Sequence, residues 1–208
     1  MTEETSSTAV QSKEAGKVSR RTRLYVQNGK LLAYTLGYSG LGAVLFALVS
    51  LVPMPYVMIS LFKLGLVPAI AIISVAGAIR GPIAGFLTGY LGTIIHDLLA
   101  DGVIAGMTLP AAAWGMVGLV VGLASYDFTR GKSLAKLSIA SLAGYGVTLL
   151  LLLVIALRIA VYPTLAAIAF VMIPLVTTGI PSVFLLSPIY ARVWHMLVRK
   201  LSPSSVVT

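Results

Sequence analysis

Six stretches of this chain are each apolar over about the length that crosses a bilayer, and that feature constrains the fold more than any motif. The runs are Leu31–Val52, Leu64–Ile79, Pro82–Leu99, Met107–Ala124, Leu137–Leu157 and Thr164–Tyr190. A helix needs roughly 17–25 apolar residues to span the hydrocarbon core. Composition agrees: 58% of residues are hydrophobic, 10% are charged and mean hydropathy is +1.00. Soluble domains carry about 25% charged residues, so a soluble fold has no means of hiding this much apolar surface. The expected fold is therefore all-α, a six-helix bundle integral to the membrane, spanning residues 31–200 between tails at 1–30 and 201–208. Pro174, Gly179 and Pro181 predict a kink or break in the last span.

The net charge of +9 raises the question of nucleic acid, and the placement of the charge answers it. Thirteen of the fifteen Lys and Arg residues fall in the N-terminal tail and alternate connections, at Arg80, at Arg130, Lys132 and Lys136, and at Arg192, Arg199 and Lys200 among others. Only Lys63 and Arg158 lie at the other ends of the spans. That asymmetry is the positive-inside pattern, which predicts cytoplasmic termini and a multi-pass protein of the cell membrane. No basic stretch is interleaved with aromatics as a nucleic-acid face requires. The first thirty residues are polar and read as a disordered cytoplasmic tail whose basic end meets anionic head groups. The first apolar run exceeds a signal-peptide core and is expected to remain as a span. With no cysteine, disulfides, thiolate metal sites and cysteine nucleophiles are excluded.

Two motifs invite a catalytic reading and neither sustains it. Gly131-Lys132-Ser133 looks like the end of a phosphate-binding loop, but the glycine required five positions earlier is Tyr126. It reads as a basic turn, and nucleotide energy would have to come from a partner chain. Gly37-Tyr38-Ser39-Gly40 resembles the serine motif of intramembrane rhomboid proteases. Ser39 lies roughly 12 Å into its span and His96 roughly 21 Å into its own, counted from the same side at about 1.5 Å per residue. A nucleophile and base must be within about 3 Å, so this pair is not a catalytic dyad. No enzymatic activity, cofactor or metal site is expected.

Small residues recur at helical spacing. Gly81, Gly85, Gly89 and Gly92 share one face of the third span, and Gly115, Gly118 and Gly122 share one face of the fourth. In lipid such faces let backbones approach closely, so they are expected to meet other helices. Ala43 and Ala47 make a similar step in the first span, open both to packing within the chain and to docking with another subunit. Ionisable groups near span ends are costly and commonly face a cavity, a partner or the interface. His96, Asp97 and Asp101 are of this kind. Together with Lys63, Trp114, Arg158 and Tyr162 they fall at the outer ends of their spans, where a polar and aromatic mouth suits a small ligand. The plainer alternative is an ordinary interfacial belt with solvated terminal charges.

The stretch from Pro53-Met54-Pro55 through Arg80-Gly81-Pro82-Ile83-Ala84-Gly85, Gly89, Gly92 and His96-Asp97, continuing to Trp114-Gly115-Met116-Val117-Gly118 and Gly122, resembles a known family. It is similar to the substrate-binding S components of energy-coupling factor vitamin transporters, closest to the riboflavin-type group. The resemblance covers the bundle and not the first thirty residues. It implies a subunit that captures a vitamin from outside with high affinity and associates with a transmembrane scaffold and two ATPases. It further implies docking through Ala43 and Ala47, and ligand contacts drawn from the external connection Pro53–Lys63, which includes Tyr56, and from the region of His96, Asp97, Asp101 and Trp114. The sixth span lacks the asparagine expected in riboflavin-type relatives, Asn28 being the one asparagine of the chain. With so few amides, recognition would depend on Thr, Tyr, Trp and backbone groups; riboflavin is the leading expectation for the ligand from the resemblance, and this departure speaks against it. The alternative is a self-sufficient secondary transporter with His96 and Asp97 as proton-linked groups.

Overall fold

The structure is a computed structural model that describes residues 29–52, 56–59, 62–102, 108–129 and 131–201. Its helices are α1 (Gly29–Leu51), α2 (Pro68–Arg80), α3 (Pro82–Asp101), α4 (Thr108–Gly122), α5 (Gly131–Arg158), the single turn α6 (Thr164–Ala166) and α7 (Ile173–Leu201), with a π-helical segment Ala167–Met172 between the last two. A short antiparallel hairpin, β1 (Tyr56–Ile59) and β2 (Phe62–Gly65), precedes α2 with Tyr56 opposite Gly65 and Ile59 opposite Phe62. Of the predicted tails 1–30 and 201–208, residues 1–28 and 202–208 lie outside the described residues, as does the Pro53-Met54-Pro55 segment, while 29–30 and 201 are helical.

Among the described residues, four stretches are long and apolar enough to cross a membrane: Leu32–Leu51, Pro82–Asp101, Gly131–Arg158 and Thr164–Val198. Their outward faces are apolar; Ile139 and Leu150 of α5 are each 65% exposed. Such a surface is stable in lipid and not in water, and the chain is a membrane-embedded helical bundle. The two remaining apolar helices, Pro68–Arg80 and Leu109–Gly122, are shorter. At 1.5 Å per residue α2 reaches only about 20 Å. The sequence reading begins the second span at Leu64, but residues 62–65 form β2 instead. The run Tyr-Val-Met-Ile followed by Phe-Lys-Leu is rich in β-branched and aromatic residues, and hydropathy alone does not separate a short apolar strand from a helix start.

Helix α2 occupies the centre. It packs against α1, α3, α4 and α7, while α3, α4, α5 and α7 pack in succession around it and α1 packs on α3. Residues Ala69, Ile70, Ala71, Ile73, Ser74, Val75 and Gly77 are buried accordingly. One apolar cluster joins Phe46, Ile70, Ile73, Val117, Tyr145, Leu149 and Val183, and a second joins Val75, Val121, Leu137 and Ala191 nearer the α2–α3 corner.

Glycine determines how closely these helices approach. A Cβ on Gly77 or on Gly85 would collide with the backbone of Gly118, and one on Gly89 would lie 2.8 Å from the Gly115 Cα. One on Gly122 would strike the backbone of Gly81 and Pro82. The glycine faces predicted for the third and fourth spans therefore meet each other. Gly81, at φ 91°, turns the chain between α2 and α3, a conformation that glycine adopts without steric cost. Pro82 follows in the first turn of α3, where a missing N–H costs least.

The last span stays helical through its prolines instead of breaking. The wide π turns of Ala167–Met172 precede Pro174, which has no N–H to offer the preceding turn. Hydroxyls then satisfy carbonyls along the proline-rich stretch. Thr177 donates to the carbonyl of Ile173, Thr178 to Pro174, Ser182 to Thr178 and Tyr145 of α5 to Leu175. Replacing Gly118 with alanine is expected to lower stability by about 1–3 kcal/mol through overpacking. Gly146→Ala, with nothing within 4 Å of its new methyl, is expected to leave the melting temperature of the detergent-solubilised protein unchanged or slightly raised.

Candidate functional site

Close contacts define two ends of the bundle. Arg80 stacks on Tyr38, Tyr38 meets Trp194 edge-on, and Gly122 abuts Pro82, so these residues share one end with the α4–α5 turn. That turn is held by Tyr126, whose hydroxyl donates to the Val121 carbonyl at 2.9 Å and whose pKa burial pushes up to about 12. Lys136 reaches the Ser125 carbonyl and lies over the Tyr126 ring. This is the basic end.

The residues expected to form a ligand mouth lie toward the opposite end. His96 and Asp97 sit in the last two turns of α3 and pair with each other, Nδ1 to Oδ1 at 2.9 Å, with side chains 29% and 19% exposed. Asp101 is exposed at the end of α3, which Gly102 terminates in a left-handed conformation. Trp114 lies about 9 Å into α4 and packs against Tyr145, ring centres 6.1 Å apart. Arg158 ends α5, and Tyr162 follows in an exposed turn that passes through Val161 at φ 53°. Tyr56 lies on β1 and Lys63, opposite Met58, on β2, which packs on α7. The side chains of both fall outside the described residues. These positions share an end of the bundle without converging on one point: His96 and Asp97 satisfy one another, Trp114 is turned to the core, and Arg158 and Tyr162 project outward.

The first helix carries a second finding. Ala43 and Ala47 are fully buried within the chain. Gly42, Ala43 and Phe46 lie on α3, where a Cβ on Gly92 would come within 2.7 Å of the Phe46 ring and 3.2 Å of the Ala43 carbonyl. In this conformation the small-residue step packs inside the molecule. Gly37 and Gly40 instead have open space beside them. The serine of Gly37-Tyr38-Ser39-Gly40 is also internal, donating to the Thr35 carbonyl at 2.7 Å.

Sequence reasoning missed the importance of Tyr145. Its side chain is fully buried between Trp114 and α7, its hydroxyl donates to the Leu175 carbonyl at 2.8 Å, and it fills the space beside Gly179, whose lack of a side chain admits it. A tyrosine flanked by Gly144 and Gly146 in an apolar run was the available signal. Three further hydroxyls, Ser74, Ser141 and Ser187, are buried without a hydrogen-bond partner among the described residues, one each on α2, α5 and α7.

At this end the His96–Asp97 pair is partly exposed, while the Trp114 indole, the Tyr145 phenol and the Thr148 hydroxyl, which donates to the Ala113 carbonyl at 2.7 Å, belong to the packed interior. Tyr145→Phe removes one buried hydrogen bond and is expected to cost about 1 kcal/mol, read as a lowered melting temperature; no change would contradict the role given to it. No protein-family model, no characterised protein and no solved structure matches this chain.

Proposed function

We propose that the chain is the substrate-capture subunit of an energy-coupling factor type importer in the cell membrane, with six spans, both termini in the cytoplasm and a vitamin, riboflavin first among them, as cargo. The supporting observation is the glycine-packed seam of α3 on α4. The segment that resembles those subunits is the one that closes the bundle and carries His96, Asp97 and Trp114 to the end away from the basic residues. The basic end faces the cytoplasm by the positive-inside rule.

In this reading the subunit has no catalysis of its own. A transmembrane scaffold and two ATPases supply the energy for release, and the outer-end residues Tyr56, Lys63, Asp101, Arg158 and Tyr162 cover the ligand with the α3 pair and Trp114. Docking through Ala43 and Ala47 requires α1 to part from α3, since both are buried there. Gly37 and Gly40, open as they stand, are the alternative contact positions on the same helix.

A second reading rests on the His96–Asp97 pair, which suits a proton-coupled secondary transporter. The two readings separate cleanly in reconstituted vesicles. For a capture subunit, the isolated chain binds riboflavin one to one, with Kd below about 1 µM and without ions or nucleotide, yet moves none of it under a proton gradient. Uptake by the isolated chain that is lost in Asp97→Asn supports the transporter instead.

The two tryptophans provide the binding readout. Trp114 is near the proposed site and Trp194 at the far end against Tyr38. Riboflavin is expected to quench fluorescence in Trp194→Phe and to have little effect in Trp114→Phe. Quenching only in the latter would place the ligand at the basic end and overturn the assignment.

A further inference from the structure

The ring of helices around α2 is open between α1 and α7. There a groove of about 190 Å³ runs along α2, with Leu41 and Leu45 on one wall, Tyr190 and Val193 on the other and Ile72 and Ala76 on its floor. Its lining is apolar except at the basic end, where Tyr38, Arg80 and Trp194 enclose it. The Arg80 guanidinium lies 4.3 Å over the Tyr38 ring, and Tyr38 in turn meets Trp194 at 6.1 Å. Among the described residues the Arg80 side chain has neither a carboxylate partner nor a hydrogen bond. A guanidinium carries five N–H donors, and ring-face stacking leaves these free for an anion.

Size and charge together select the occupant. From Ile72 to Arg80 the groove extends about 12 Å along α2, within the roughly 15 Å depth of one leaflet. A cavity of about 150 Å³ accommodates a benzene-sized apolar group, so this volume spread over that length takes one slender chain. An α-helix, at about 10–12 Å across, does not enter it. Tryptophan and tyrosine at the mouth mark head-group depth, and a lone arginine there meets phosphate. We infer that the α1–α2–α7 groove is a binding site for an anionic phospholipid, with one acyl chain along α2 and the phosphate on Arg80. The site is independent of the cargo reading, since it lies at the other end of the bundle.

Native mass spectrometry of the purified full chain with phosphatidylglycerol or phosphatidylcholine of identical acyl chains tests this. Phosphatidylglycerol is expected to be retained preferentially, with about ten-fold weaker retention in Arg80→Gln, the scale of one charge-assisted contact. Ala76→Phe, which fills the groove floor, is expected to abolish retention of both lipids, and Val193→Phe serves from the opposite wall if Ala76→Phe does not fold. Equal retention of the two lipids, or an unchanged Arg80→Gln, overturns the site. Competition by glycerol phosphate without acyl chains would assign Arg80 to a soluble phosphate and overturn it too. A photocrosslinking residue at Leu45 in native membranes is expected to yield lipid adducts. Adducts to protein, from this chain or another, would show that a polypeptide occupies the groove.

Discussion

At one point in this molecule three backbones meet with no side chain between them. Gly118 of α4 lies against Gly77 of α2 and Gly85 of α3, so closely that a methyl group on either would strike its peptide. In lipid the hydrophobic effect does not drive helices together; close packing does. Glycine gives the backbone-to-backbone distance at which dispersion across α2, α3 and α4 is greatest. With α2 only 13 residues long, this contact holds the central helix in place and lets α1, α5 and α7 pack around it.

The same contact separates the two ends chemically. The α2–α3 corner at Gly81-Pro82 is pinned against the end of α4 and keeps Arg80 at the basic end. Along α3, the seam carries the chain to the His96–Asp97 pair at the other. Beyond α2, Tyr145 links α5 to the proline-rich part of α7 through the Leu175 carbonyl, and the N–H of Val67 donates to Ser182 at 2.6 Å, tying the start of α2 to the same region. The opening between α1 and α7 is what remains when a short central helix is surrounded by five neighbours that do not close the ring.

Much of this was legible in the sequence because it depends on periodicity. Apolar runs located the helices, although α5 begins at Gly131, ahead of the apolar run at Leu137, and α7 continues past Tyr190 to Leu201; glycines spaced by three or four located the α3 and α4 faces that meet. Pro82 announced the start of α3. What was not legible depends on partners distant in the chain. The hairpin was hidden because Tyr56–Gly65 is apolar enough to merge with a span. The last span was expected to kink or break at its prolines; its α-helical winding gives way to a π segment just ahead of Pro174 and then resumes through Pro181 and Pro188, and nothing local to Pro174 shows that Tyr145, far earlier in the chain, will donate to the Leu175 carbonyl. The orientation of Ala43 and Ala47 was undecidable from spacing, since an inward and an outward small-residue face read alike. The polar residues expected at the outer end were grouped by depth, and depth does not show that His96 pairs with Asp97 or that Trp114 packs on Tyr145.

The proposed function requires the basic end to lie in the cytoplasm and the His96–Asp97 end outside. The chain has no cysteine, so single cysteines report orientation without background. The direct measurement is labelling of Tyr162→Cys and Lys132→Cys, both at exposed positions on opposite ends, with a membrane-impermeant maleimide on intact cells. Labelling is expected at 162 in intact cells and at 132 only after the membrane is opened. Labelling at 132 with protection at 162 would invert the molecule and contradict capture of cargo from outside.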